Sequence, residues 1–217
     1  MKSNTPTIIL ANGAFPKSQK LLDLLDSSQQ IICCDGAVNK LIKSGREPHI
    51  IIGDLDSVEA NHKDRYQNIL VQINDQNTND LSKAINWCLA QNIKDVIILG
   101  ATGEREDHTI GNIGLLTEYH KKINVRILTD NGVFIPISKS TVFKSKVGQQ
   151  VSIFSMSPQL QISSVGLKYP LQKLALKSWW MGTLNEAISD EFRIEFEGES
   201  QLVVFILSLS PNSSVIS

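Results

Sequence analysis

Ile50-Ile51-Ile52-Gly53-Asp54-Leu55-Asp56-Ser57 is an apolar run that ends abruptly in two carboxylates. Such a run, closed by turn residues, reads as a strand buried between layers, and open α/β sheets bind their ligands outside the carboxyl ends of such strands. Asp54 and Asp56 stand at that edge, where residues i and i+2 of an extended segment point to the same side. Two like charges held together are unfavourable unless a cation joins them, and a hard divalent ion such as Mg²⁺, shared with phosphate oxygens, is one reading. A surface turn is the other, since Gly, Asp and Ser are turn formers.

The same punctuation recurs on either side. Thr7 to Ala11 is a continuous apolar run closed by Asn12-Gly13, and Gln30 to Cys34 is strand-like and ends at Asp35-Gly36. Between them, Lys17 to Asp26 carries leucines at helical spacing, and Ala37 to Lys43 suits a short helix stopped by Gly45 and Pro48. Ile69 to Ile73 predicts another strand, leading through Asp75-Gln76-Asn77-Thr78-Asn79-Asp80 into a helix from Leu81 to Ala90 with one apolar stripe. Asp80 and Lys83 share a side of its first turn, although Asn77 with Asp80 also resembles a capping arrangement. Val96 to Leu99 leads into Gly100-Ala101-Thr102-Gly103-Glu104-Arg105-Glu106-Asp107-His108, a loop whose backbone N–H groups and Arg105 suit an anion. It matches neither the P-loop nor the Gly-x-Gly-x-x-Gly fingerprint. A helix over 108–121 and a strand over 125–128 complete this part.

From residue 132 the periodicity changes to short strand-like segments, at 132–137, 141–144, 150–154, 160–164, 171–176, 192–196 and 201–207. The expectation is an α/β domain over 1–131 with a mostly parallel sheet and flanking helices, then an all-β sandwich domain over 132–217 with a loose tail from Ser208.

Composition narrows the function classes. Hydrophobic residues make up 41% and charged residues 20%, a globular balance, and 21 basic against 22 acidic residues leave no basic excess for a nucleic-acid partner. Three cysteines give neither a disulfide framework nor a Cys-x-x-Cys pair, and four histidines lack zinc spacing. The apolar run near the N-terminus is too short for a signal peptide, and Leu202 to Leu207 is too short to span a membrane, so a cytoplasmic protein is expected.

Asp35, Asp54, Asp56, Asp75, Asp80, Lys83, Arg105 and Asp107 all fall on loops placed after parallel strands. Those loops share one edge of a parallel sheet, so acids to hold Mg²⁺ and bases to neutralise phosphate could converge there. Loops that are simply rich in Asp are the rival explanation.

Cys34-Asp35-Gly36-Ala37-Val38-Asn39, Pro48 to Ser57, Asp75 to Ala84 and Gly100 to Asn112 resemble, in order, the motifs of the thiamin pyrophosphokinase family, and Val165 to Leu171 and Gly182-Thr183-Leu184-Asn185-Glu186 resemble its thiamin-side motifs. The resemblance implies a Rossmann-like domain joined to a β-sandwich, a homodimer, and transfer of pyrophosphate from ATP to thiamin. By similarity, Asp54, Asp56 and Asp80 would hold Mg²⁺ and act with Lys83 in catalysis. Asp35, Gln76, Lys83, Thr102, Arg105 and Asp107 would bind ATP, and Thr183, Asn185 and Tyr169 would meet thiamin. Tyr169, Trp179 and Trp180 are candidates to stack on thiamin at a dimer interface, and each also suits ordinary packing in a β domain.

Three departures stand out. Asp35-Gly36-Ala37-Val38 replaces a common Asp-Gly-Gly-Ala, Asn79-Asp80-Leu81 replaces Thr-Asp-Phe, and Leu184 stands where Ser commonly precedes the Asn. The first two keep the charged groups; the third bears on the thiamin contacts. The alternatives are a pyrophosphokinase acting on another small alcohol such as a pterin, and a non-catalytic nucleotide or thiamin sensor.

Overall fold

The structure, a computed structural model, describes residues 6–208. The chain falls into two compact units. One runs to Asn112 and resumes over Lys122–Asp130; the other takes Ile113–Lys121 and the chain from Asn131 onward.

In the first unit the strands are β1 (Thr7–Leu10), β2 (Gln30–Cys34), β3 (Ile50–Gly53), β4 (Leu70–Gln72), β5 (Asp95–Leu99) and β6 (Asn124–Thr129). They lie side by side in the order β4-β3-β2-β1-β5-β6, and every pairing is parallel. Ile8 faces Ile31 on one side and Ile97 on the other, so the continuous apolar runs become central strands buried throughout. The helices α1 (Gln19–Asp26), α2 (Ala37–Lys43), α3 (Ala60–Arg65), α4 (Asp80–Ala90) and α5 (Glu106–His120) connect them. Helix α4 buries Leu81, Ala84, Ile85 and Cys88, its apolar stripe, and packs against β2 and β3. Strand order reverses between β1 and β5, the point at which open α/β sheets leave room for a ligand.

The turns after β1 and β5 approach closely. Gly13 N donates to Gly100 O at 2.7 Å and Ala14 N to Thr102 O at 2.8 Å. A Cβ on Gly13 would collide with Gly100 O, and Gly100 has φ +66°, a conformation that favours glycine.

The second unit has an antiparallel set in the order β7-β14-β9-β12, formed by β7 (Gly132–Ile137), β9 (Gln150–Ser155), β12 (Asn185–Glu186) and β14 (Leu202–Leu207). A second antiparallel sheet runs β11-β10-β13-β8, from β8 (Thr141–Lys144), β10 (Gln161–Val165), β11 (Leu174–Ala175) and β13 (Glu191–Glu195). Burial alternates along β10 and β13, the mark of a sheet covered on one face.

The strand expected over 171–176 shrinks to β11. Lys173 adopts φ +48°, which breaks the extended chain, and Leu171 N and Lys173 N bond to the Ser164 and Ser163 hydroxyls rather than to a strand partner. A 3₁₀ turn at Trp179–Gly182 and the short β12 carried too little periodicity to be read from sequence. Cys33, Cys34 and Cys88 are free and buried. Among the described residues no helix is long and apolar enough to cross a membrane. Beyond Ser208 the expected loose tail lies outside the described residues.

Candidate active site

A cavity of about 480 Å³ opens at the carboxyl edge of the parallel strands. The loops after β1 to β5 contribute: Asn12 and Gly13 after β1, Asp35 after β2, Asp54 and Ser57 after β3, Gln76, Thr78, Asn79, Asp80 and Lys83 between β4 and the first turn of α4, and Thr102, Glu104 and Arg105 after β5. Of the eight strand-end acids and bases expected to meet, Asp35, Asp54, Asp80, Lys83 and Arg105 do so at this edge, whereas Asp56, Asp75 and Asp107 are not on the wall.

Asp35 sits in a strained φ of 43° with its side chain almost fully buried. Its Oδ2 accepts the Ser57 N–H at 3.2 Å, whereas Oδ1 is buried without a partner. Burial pushes this carboxyl above its ordinary value; hydrogen bonding from Ser57 opposes the shift, and the charges of Asp80 and Asp54 add to it. Gly53 makes the approach possible, because a Cβ there would meet Asp35 Cβ at 2.9 Å and Asp80 Oδ1 at 3.3 Å.

Lys83 Nζ donates to Asp80 Oδ1 at 2.9 Å. Burial is the largest influence on the ammonium and lowers its pKa, but the Asp80 bond and the charges of Asp80, Asp54 and Asp75 outweigh it, and the net shift is upward. Lys83 therefore stays charged while almost fully buried.

Asp54 and Asp56 do not form the expected extended pair. Leu55 has φ 70° with a buried side chain, and Asp56 N donates to Asp54 Oδ1 at 3.2 Å. Burying Leu55 turns the chain, so Asp54 lines the cavity and Asp56 is exposed outside it. The capping reading of Asn77 and Asp80 is likewise corrected. Asn79 is the N-cap, accepting Ser82 N at 2.8 Å, and its amide also donates to Asn112 Oδ1 at 3.3 Å. Asp80 is thereby left for Lys83. Gln76 and Thr102 line the wall, while Asp75 is held below the usual carboxylate range by the Thr78 hydroxyl, then by Asn77 N–H.

Arg105 lines the cavity and is gripped from outside it by Asp107, at 3.1 Å through Nε and 2.5 Å through Nη2. That bond holds the Asp107 carboxyl at about 2. Three further residues went unassigned in the sequence. Lys40 donates to Asn12 O, Gly13 O and Glu104 Oε1, and Asn112 donates to Ala101 O from a buried position. The signal for Lys40 was a base one helical turn beyond the strand-end Asp35; Glu104 and Asn112 gave no signal beyond lying in the loop and helix after β5.

In the second unit, Asn185 is buried: Nδ2 donates to Tyr169 O at 2.7 Å, and Oδ1 accepts Tyr169 N at 3.1 Å and Glu186 N at 2.9 Å. Thr183 Oγ1 donates to Trp180 O at 2.7 Å. Both side chains hold the backbone of aromatic residues that are themselves outside the core, Tyr169 at 61% exposure and Trp180 at 74%. Trp179 meets Phe154 edge-on with ring centroids 6.0 Å apart. Leu184 is 76% exposed and has φ +60°.

A parallel α/β unit with a charged strand-end cavity, followed by an antiparallel β unit, defines a two-part α/β and β protein. The chain belongs to the thiamin pyrophosphokinase family: residues 21–128 match that family's catalytic domain and residues 132–205 its substrate-binding domain. It is 27% identical over 209 residues to thiamin pyrophosphokinase 1 of Caenorhabditis elegans, covering 88% of this chain and 84% of the relative. The solved thiamine pyrophosphokinase of Bacillus subtilis superposes with a TM-score of 0.74 at 25% identity, over 94% of this chain and 99% of that one. A thiamin pyrophosphokinase family protein from Enterococcus faecalis shares the fold at a TM-score of 0.77 and 17% identity, over 94% and 99% of the two chains.

Proposed function

We propose that this protein transfers the pyrophosphoryl group of ATP to the hydroxyethyl oxygen of thiamin, giving thiamin diphosphate and AMP. The observation that carries the reading is the meeting of Asp35, Asp54, Asp80, Lys83 and Arg105 at one strand-edge cavity in a chain of this family. Neither the pterin-type acceptor nor the sensor is favoured by the relatives it matches.

The donor chemistry fits Mg²⁺. Asp35 keeps a buried, unpartnered carboxylate oxygen that feels the charges of Asp80 and Asp54. Among the described residues no three His, Cys, Asp or Glu side chains form a ready metal cluster. Mg²⁺ is commonly held by one or two carboxylates with substrate phosphates and water completing its shell, and we assign the carboxylate share to Asp54 and Asp80. When bound, the ion would neutralise charge on the phosphate oxygens. Asp56 sets the Asp54 turn through its backbone N–H.

Lys83 and Arg105 offer the cationic walls, Asp107 orients Arg105, and Gln76 and Thr102 complete the triphosphate seat beside Asp35. The thiamin oxygen attacks the β-phosphorus, and the bond from that phosphorus to the oxygen shared with the α-phosphate breaks. AMP leaves with that oxygen, and the hydroxyl proton passes to a carboxylate of the site. Positioning and charge do most of the work. In the same reading the first unit is Rossmann-like and the second is a β-sandwich that binds thiamin through Thr183, Asn185 and Tyr169. The protein acts as a cytoplasmic homodimer, a state to which the exposed Trp180 and Leu184 lend support.

The test is to incubate protein, ATP, Mg²⁺ and thiamin and follow both products. Stoichiometric AMP and thiamin diphosphate, abolished by chelating the metal, is the expected result; ATP binding without thiamin diphosphate would sink the proposal.

A further inference from the structure

Lys40 Nζ has three acceptors: Asn12 O at 3.0 Å, Gly13 O at 2.8 Å and Glu104 Oε1 at 2.6 Å. An ammonium group has three N–H donors, so the set uses them all. The acceptors sit on the turns after β1 and β5, the neighbouring strands where the sheet order reverses, and all three acceptor residues line the cavity. Lys40 itself reaches them from α2 and is not on the cavity wall. Two wall carboxylates carry an ion pair: Asp80 with Lys83 and Glu104 with Lys40, since Arg105, next to Glu104 in its loop, is taken by Asp107.

We propose that Lys40 is a positioning residue for the nucleotide, clamping the β1 and β5 turns together and masking the Glu104 carboxylate so that the wall accepts a triphosphate. The inference rests on the reading that the cavity takes ATP. Without the ammonium, the Glu104 carboxylate, about half exposed on the wall, meets the incoming phosphates uncompensated, and like charges brought together weaken binding. The two turns remain joined by the Gly13 N to Gly100 O and Ala14 N to Thr102 O bonds, so the loss falls on nucleotide binding rather than on the fold.

The experiment compares wild type, Lys40→Met, Lys40→Gln, Lys40→Arg and the double variant Lys40→Met/Glu104→Gln. Mg-ATP affinity is measured by calorimetry and KM for ATP and thiamin by steady-state kinetics. Both neutral variants are expected to weaken Mg-ATP binding roughly tenfold, with kcat and KM for thiamin within about twofold of wild type. Lys40→Arg should retain most of the affinity, and the added Glu104→Gln should restore most of what Lys40→Met loses. A purely structural lysine would not be rescued by deleting its partner's charge. Unchanged ATP affinity in the neutral variants, or a double variant no tighter than Lys40→Met, overturns the inference. Wild-type protein that fails to bind Mg-ATP overturns the underlying assignment of the cavity instead.

Discussion

Lys83 Nζ lies 2.9 Å from Asp80 Oδ1 within the first turn of α4, with the lysine side chain 4% exposed and the aspartate 31%. The pair puts a permanent positive charge among the carboxylates of the cavity. Lys83→Met removes it while keeping the apolar stem. Turnover should fall by about 10²–10³, and urea denaturation should show a loss of about 1–3 kcal/mol, because Asp80 loses its bound cation.

Asp54→Asn removes a proposed metal-ligand charge from a turn that can still form, since an amide oxygen also accepts the Asp56 N–H. A drop in kcat of roughly 10²-fold, with unchanged far-UV circular dichroism and a higher Mg²⁺ requirement, is expected. Near-normal turnover at the wild-type Mg²⁺ optimum would refute the assignment.

Asp35 gives a pH signature. Its folded pKa is raised above 3.8, so the folded chain holds this proton more tightly than the unfolded chain. The contribution to stability is full below 3.8 and is lost as pH rises through the folded value. Asp35→Asn should therefore melt higher than wild type at neutral pH, with the advantage vanishing below that window, and should be inactive. A variant less stable than wild type at pH 7 would contradict the uncompensated carboxylate.

Gly100→Ala tests the close turns at the sheet's reversal point. Its Cβ would stand 2.5 Å from Ala11 O at φ +66°. A loss of about 1–3 kcal/mol is expected in equilibrium unfolding, accompanied by weaker ATP binding. Full stability would mean that the turns separate freely.

Asn185→Ala frees both backbone groups of Tyr169. KM for thiamin should rise severalfold while KM for ATP is unchanged, because the substitution lies in the second unit. Equal effects on both substrates would show that Asn185 acts through general stability.

The central strands of the parallel sheet, β1, β2, β3 and β5, were legible because they carry continuous apolar runs, a pattern forced on strands covered on both faces. The short β12 and the Trp179–Gly182 turn were not, since two- and four-residue elements carry no period. The turn at Asp54 to Ser57 shows a different limit. Its residue types suited both an extended pair and a turn, and the burial of Leu55 decided for the turn.

By itself, then, the sequence determined which residues are chemically capable and which edge of the sheet they reach, because strand direction and loop position follow from local pattern. Tertiary structure decided how those groups are paired. Lys83 with Asp80, Asp107 with Arg105 and Asn79 as the cap are choices among near neighbours in the chain that burial and hydrogen bonding settle. The unpartnered Asp35 oxygen and the Lys40 clamp depend on residues far apart in sequence, from Asn12 to Glu104, and no local pattern could have joined them.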